Sequence, residues 1–198
     1  MKKILILFLL PLQSFAQSTF NLDTVNQIFL GIINEYRLEN NLYPYNLDRG
    51  LAPFTLQQCQ NMKKNGVTHG EEGTPYSFRN RWRTFIKNYP EYSTISYRGE
   101  NIAMSFIPLE GTGDFTFSSP YSIKNDVKIE YHEFDDLMVF INDGNCTDSC
   151  IAYHVFYQWK NSPGHNRAML NPDFTTIFLG LDRYGTYILS ALCFIENS

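Results

Sequence analysis

A chain of 198 residues, 43% hydrophobic and 16% aromatic, is sized for one domain with a real core, which excludes a disordered or fibrous protein. A formal charge of −4 with scattered basic residues argues against a nucleic-acid partner. No apolar run reaches the roughly 20 residues that a membrane span needs, so no span is expected.

Residues 1–16, MKKILILFLLPLQSFA, read as a secretory signal. Lys2 and Lys3 form the charged start, residues 4–12 the apolar run, and Ser14-Phe15-Ala16 a small-residue cleavage site. Cleavage near Ala16 sends the mature chain, 17–198, to the periplasm or the medium and carries the formal charge from −4 to −6. Cys59, Cys146, Cys150 and Cys193 in an exported chain are consistent with two disulfides, for which three connectivities exist. Cys146 with Cys150 and Cys59 with Cys193 is the pairing chosen here. A zinc site of four thiolates is the competing reading, opposed by irregular spacing and an oxidising address.

Val25, Ile28, Phe29, Ile32, Ile33 and Tyr36 recur at helical spacing, with Asn26, Gln27, Asn34, Glu35 and Arg37 on the other side. Thr24 and Gln27 resemble a capping box, so the first helix is expected over 24–40 and a turn over 41–48. A second helix is expected from about Leu51, with Leu56, Cys59 and Met62 on one face and Gly66 ending it. His69 lies just beyond that end. The segment SFRNRWRTFIKNY is read as a loop with one helix that buries Trp82, Phe85 and Ile86.

Glu100 opens a short apolar strand, Ile102-Ala103-Met104, where a carboxylate by itself is more often a structural acid than a catalytic one. Residues 105–150 are broken by Gly111, Gly113 and Pro120, with a strand or hairpin arm at 127–134. Glu130, Glu133, Asp135 and Asp136 lack the glycine and final glutamate of an EF-hand loop and read as a solvated acidic face. A helix is expected over 151–159, capped by Thr147 or Asp148, with Ile151, Val155 and Trp159 inward and His154 structural or exposed. Ser162 is placed as an N-cap and Pro163 at the first helical position, with Asn171-Pro172 as the stop. His165 thus falls in a first helical turn, where the dipole disfavours the imidazolium. Taken alone, SPGH is a helix cap carrying a surface histidine. Residues 177–181 and 187–194 are two apolar strands joined by Asp182-Arg183-Tyr184-Gly185 as a hairpin.

His69, Glu100 and His165 each open or follow an ordered element. Brought together, two imidazoles and a carboxylate match the ligand set of an open zinc site, or a polar-substrate site with a histidine base oriented by Glu100. HEXXH, GXSXG, Walker and Rossmann motifs are absent, and no organic cofactor is expected.

Asn34-Glu35-Tyr36-Arg37, His69, Gly99-Glu100-Asn101-Ile102-Ala103, and Trp159-Lys160-Asn161-Ser162-Pro163-Gly164-His165 leading to Gly180 together resemble the CAP superfamily (SCP domain), in its compact exported bacterial form. That superfamily includes cysteine-rich secretory proteins, antigen 5 and pathogenesis-related 1 proteins. The resemblance implies an α+β fold, a three-layer α-β-α sandwich with a central antiparallel-rich sheet. It also implies a cleft of two histidines and two acids that binds divalent metal in some members. The histidines match His69 and His165 and one acid matches Glu100. Ser162 stands where the second acid is usual, which weakens acid/base catalysis and leaves histidine-based metal binding, with zinc foremost. The stretch at about 105–150 is longer than in compact relatives and is expected to be an insertion beside the cleft.

Three functions follow from this. The first is a secreted binding module taking a metal ion and a lipid, peptide or glycan. The second is a metal-assisted hydrolase in which Glu100 polarises water, or a variant with Ser162 as nucleophile; Ser162 is already explained as a cap. The third is a host or surface interaction protein acting through the insertion. Oligomeric state is not readable.

Overall fold

The computed structural model describes residues 20–106, 148–185 and 187–196. The expected leader, Cys146, the arm at 127–134, the four clustered acids and Thr147 lie outside these residues.

Helix α1 (Leu22–Glu39) starts earlier than the capping-box reading predicts. Asn21, in extended geometry, places its side-chain oxygen 3.1 Å from the Thr24 amide, so the cap falls there and the helix gains its first turn upstream of Thr24. Its buried stripe is Val25, Asn26, Phe29, Ile33 and Arg37. Two of these were expected on the polar face, and each is buried because it closes backbone groups. Asn26 bonds both the N–H and the C=O of Leu179, at 2.9 and 2.8 Å, and Arg37 donates to four carbonyls.

A two-residue strand β1 (Asn46–Leu47) and a 3₁₀ turn (Arg49–Leu51) lead into α2 (Ala52–Asn65). Gly66, at φ +79°, ends α2 as the sequence predicts. Helix α3 (Phe78–Asn88) is capped by Ser77 and buries Arg81, Trp82 and Phe85, with Ile86 half-buried. Strand β2 (Arg98–Phe106) follows a second 3₁₀ turn (Pro90–Tyr92). Then come α4 (Asp148–Lys160), α5 (Pro163–Met169), β3 (Thr176–Tyr184) and β4 (Tyr187–Ile195).

The strands form one sheet in the order β1-β3-β4-β2, with β1 parallel to β3 and the other pairs antiparallel. The β3–β4 hairpin forms where the sequence places it. Side chains alternate along β4. Ile188, Leu192 and Phe194 join Val25, Phe29, Val155 and Trp159 in one core, while Leu189, Ala191, Cys193 and Ile195 face Phe54, Cys59, Met62 and Trp82 on the other side. Helices α1, α4 and α5 therefore cover one face and α2 and α3 the other, giving the expected α-β-α sandwich. Helix α2 lies so close to β3 that a Cβ on Gly180 would stand 2.6 Å from Thr55 Oγ1, so only glycine fits.

The Cys59–Cys193 disulfide is not formed, and both thiols are free and buried. The cause is register. Cys59 Sγ lies against the carbonyls of Gly180 and Leu189, at 3.4 and 3.5 Å. Gly180 pairs with Ala191, whereas Cys193 pairs with Phe178, one same-face step further along the strand. Such a step is about 7 Å, too far for a bridge made without moving backbone. Cys150 is buried in α4, and its expected partner Cys146 lies outside the described residues. Burial pushes the Cys59 and Cys193 thiols well above their ordinary pKa, so they behave as core residues.

Candidate functional site

The site is built at the edge of β2, which is the outer strand of the sheet among the described residues. Even-numbered residues of β2 face α2 and α3, and odd-numbered ones face α4 and α5. Ile102 packs with Cys59 and Met62 on the first face, while Asn101 and Ser105 bond residues of α5 and α4 on the second. Chemistry from both layers therefore meets at one strand.

His69 sits on the loop leaving α2, and that loop is tied down on three sides. Buried Gln58 of α2 donates to the Thr68 carbonyl at 2.7 Å. The Gly70 amide donates to Thr68 Oγ1 at 3.0 Å. Gly70 itself has φ +80°, and a Cβ there would stand 2.4 Å from the Tyr76 carbonyl oxygen. Glycine is required on both counts, and it lets the His69 loop lie against the backbone that opens α3.

Glu100 is held from two directions. Arg81 of α3 donates through Nη2 to both carboxylate oxygens, at 2.8 and 2.9 Å. His69 Nδ1 lies 2.9 Å from Oε2. The Glu100 and Arg81 side chains are 3% and 1% exposed, whereas His69 is 51% exposed. A buried ion pair thus ends on a half-open imidazole. Arg81 was not singled out from the sequence, though a signal existed: it lies three residues after Phe78 and four before Phe85, on the apolar face of an amphipathic helix. A cation in that position has to be explained by a buried partner.

His165, at the start of α5, approaches from the other layer, and Asn101 of β2 donates to its backbone carbonyl at 3.1 Å. Its imidazole packs near Trp159, ring centroids 6.3 Å apart, with Nδ1 buried. Burial first, and the nearby His69 second, lower its pKa, which favours neutral imidazole. The sequence reading anticipated that direction but ascribed it to the helix dipole. Ser162 holds the N-cap position with extended φ and ψ, yet its side chain makes no capping hydrogen bond.

The structure thus joins His69 directly to Glu100 and sets His165 beside them through the neighbouring residue on β2. Among the described residues no group of three or more His, Cys, Asp or Glu side chains is placed to hold a metal ion.

An α-β-α sandwich with two histidines, one from a loop and one from a helix, brought to a glutamate on one edge strand defines the class of fold. The family model described as "Cysteine-rich secretory protein family" matches residues 30–187. The chain belongs to this CAP family. Its fold is similar to that of an extracellular protein containing an SCP domain from Bacillus anthracis, with 19% identity and a TM-score of 0.52 over 88% of this chain. The chain spans 41% of that protein. It is also similar to an outer surface protein from Borrelia burgdorferi, with 18% identity and a TM-score of 0.53, covering 87% of this chain and 92% of that one. No curated protein matches the sequence. No helix among the described residues is long and apolar enough to cross a membrane.

Proposed function

We propose that this chain is an exported CAP-domain protein whose cleft takes a divalent metal, zinc foremost, on His69 and His165, beside a small or extended ligand such as a lipid, peptide or glycan. Export rests on the leader-like start of the sequence and on neighbours whose own descriptions are extracellular and outer-surface. The observation that carries the metal reading is the hydrogen bond that His69 Nδ1 makes to the Glu100 carboxylate, which accepts it and leaves Nε2 as the ligating nitrogen. A carboxylate on the far nitrogen of a ligating histidine is the usual supporting arrangement in metal sites, because it fixes the tautomer and raises ligand basicity. His165 fits as the second ligand, since a lowered pKa keeps it neutral. Bound zinc would supply Lewis acidity toward an oxygen of the ligand.

The same geometry favours binding over hydrolysis. Glu100 is engaged by Arg81 and His69 at once, so it is poorly placed as the group that polarises water. The observed contacts also give Ser162 no hydrogen bond to His165 that would make it a nucleophile. Metal analysis of the mature protein, with His69→Ala and His165→Ala, tests the reading. Bound zinc in the parent and its loss in both variants is the expected outcome, and equal metal in all three would sink it. Peptidase or esterase activity that disappears in folded Glu100→Gln would instead favour the hydrolase.

A further inference from the structure

Resting on that reading, we propose that Arg81 is the positioning residue of the site: it commits Glu100 to Nδ1 of His69 and thereby selects Nε2 as the metal-facing nitrogen. Three observations carry it. First, Arg81 is itself immobilised. Its Nε donates to the Tyr76 carbonyl at 3.0 Å, and its guanidinium lies over the Phe54 ring at 4.9 Å. Second, one of its nitrogens bonds both carboxylate oxygens, so the rotation of the Glu100 carboxylate is fixed and Oε2 is aimed at His69. Third, the backbone closes the same circuit. The Tyr76 carbonyl that anchors Arg81 is the atom against which Gly70 is packed, one residue from His69.

The path His69, Glu100, Arg81, Tyr76, Gly70 is therefore a closed ring of contacts, with Gln58 bracing it from α2. In a neutral imidazole only one nitrogen carries hydrogen. A carboxylate fixed against Nδ1 holds the hydrogen there and leaves the lone pair on Nε2. Glu100 is then an outer partner of the metal and not a ligand.

The test separates this inference from metal binding itself. Long-range nitrogen–proton spectra of the metal-free protein, labelled at histidine and held at a pH where His69 is neutral, read its tautomer. The expected wild-type result is hydrogen on Nδ1. Arg81→Met should lose that tautomer and weaken zinc binding by about 10- to 100-fold, the range seen when an outer partner of a metal-bound histidine is removed. Arg81→Lys, which keeps the charge without the rigid fork, should fall between. Hydrogen on Nε2 in the wild type overturns the inference whether or not the variants fold, and an unchanged tautomer in folded Arg81→Met does the same. If the tautomer behaves as expected and the parent binds no zinc, the positioning role stands and the metal reading fails.

Discussion

Arg37 and Arg81 are both about 1% exposed, one in each layer of the sandwich, and they are held in opposite ways. Arg37 has carbonyl oxygens as its hydrogen-bond partners. It reaches Tyr43 and Met169 at 2.7 Å, Asn171 at 3.1 Å and Phe174 at 3.3 Å, with the Tyr45 ring 3.8 Å beneath its guanidinium. Carbonyl dipoles satisfy its donors without cancelling its charge, and desolvation accordingly lowers its pKa. It is a clasp, drawing the turn after α1 and the segment between α5 and β3 onto one point. Arg81 has one carbonyl and one carboxylate, and the carboxylate passes the interaction on to a histidine in contact with solvent. One buried cation therefore closes the chain, and the other leads out of it.

The contrast predicts different responses to the same substitution. Arg37→Met should be the most damaging change, costing about 3–5 kcal/mol because several buried carbonyls lose their donors together. At the usual sensitivity of a chain this size, that lowers Tm by about 10 °C. Urea unfolding measures it, and a loss below about 1 kcal/mol would break the comparison, since no clasp of this kind would be that weak. Arg81→Met should come next, at about 3 kcal/mol, most of it the penalty of leaving a buried Glu100 with only the half-open His69 as its side-chain partner. Arg81→Met combined with Glu100→Gln should then recover most of the loss, whereas no single partner change can rescue Arg37, whose partners are backbone. If the double variant were as unstable as the sum of the singles, Arg81 would be a clasp as well.

Sequence patterning carried the main helices and the hairpin because those depend on periodicity, whereas the layered arrangement came from the family resemblance. The spacing of Val25, Phe29 and Ile33 gave the buried stripe of α1, and the apolar runs of β3 and β4 gave the central strands. What it missed are polar residues on buried stripes. Asn26 and Arg37 were placed on the polar face and Arg81 was not singled out, yet each is inside because it bonds groups on other elements. Arg37 meets residues 132 to 137 positions away and Asn26 meets a strand 153 away, and no local pattern encodes those distances. The site was legible for a related reason. His69, Glu100 and His165 stood at element ends and matched a family pattern, whereas Arg81 lies inside a helix and belongs to the site only through Glu100. Cys59 and Cys193 were paired by an argument about address, which carries no information on register.

A third cation supplies the baseline. Lys63 of α2 pairs with Asp182 of β3 at 2.6 Å, and both side chains are about one-third exposed, at 32% and 31%. Water solvates both partners in the folded and unfolded chain alike, so little is gained when they meet. Lys63→Gln should cost less than about 1 kcal/mol, and raising the salt should shrink the difference, because exposed pairs are screened. The same salt should leave the penalties at Arg37 and Arg81 nearly unchanged. Denaturant curves at low and high ionic strength on the three variants check this directly. A Lys63 effect that rivalled Arg81 and ignored salt would show that burial is not what separates the three cations, and the distinction between clasp and relay would have to rest on partner chemistry alone.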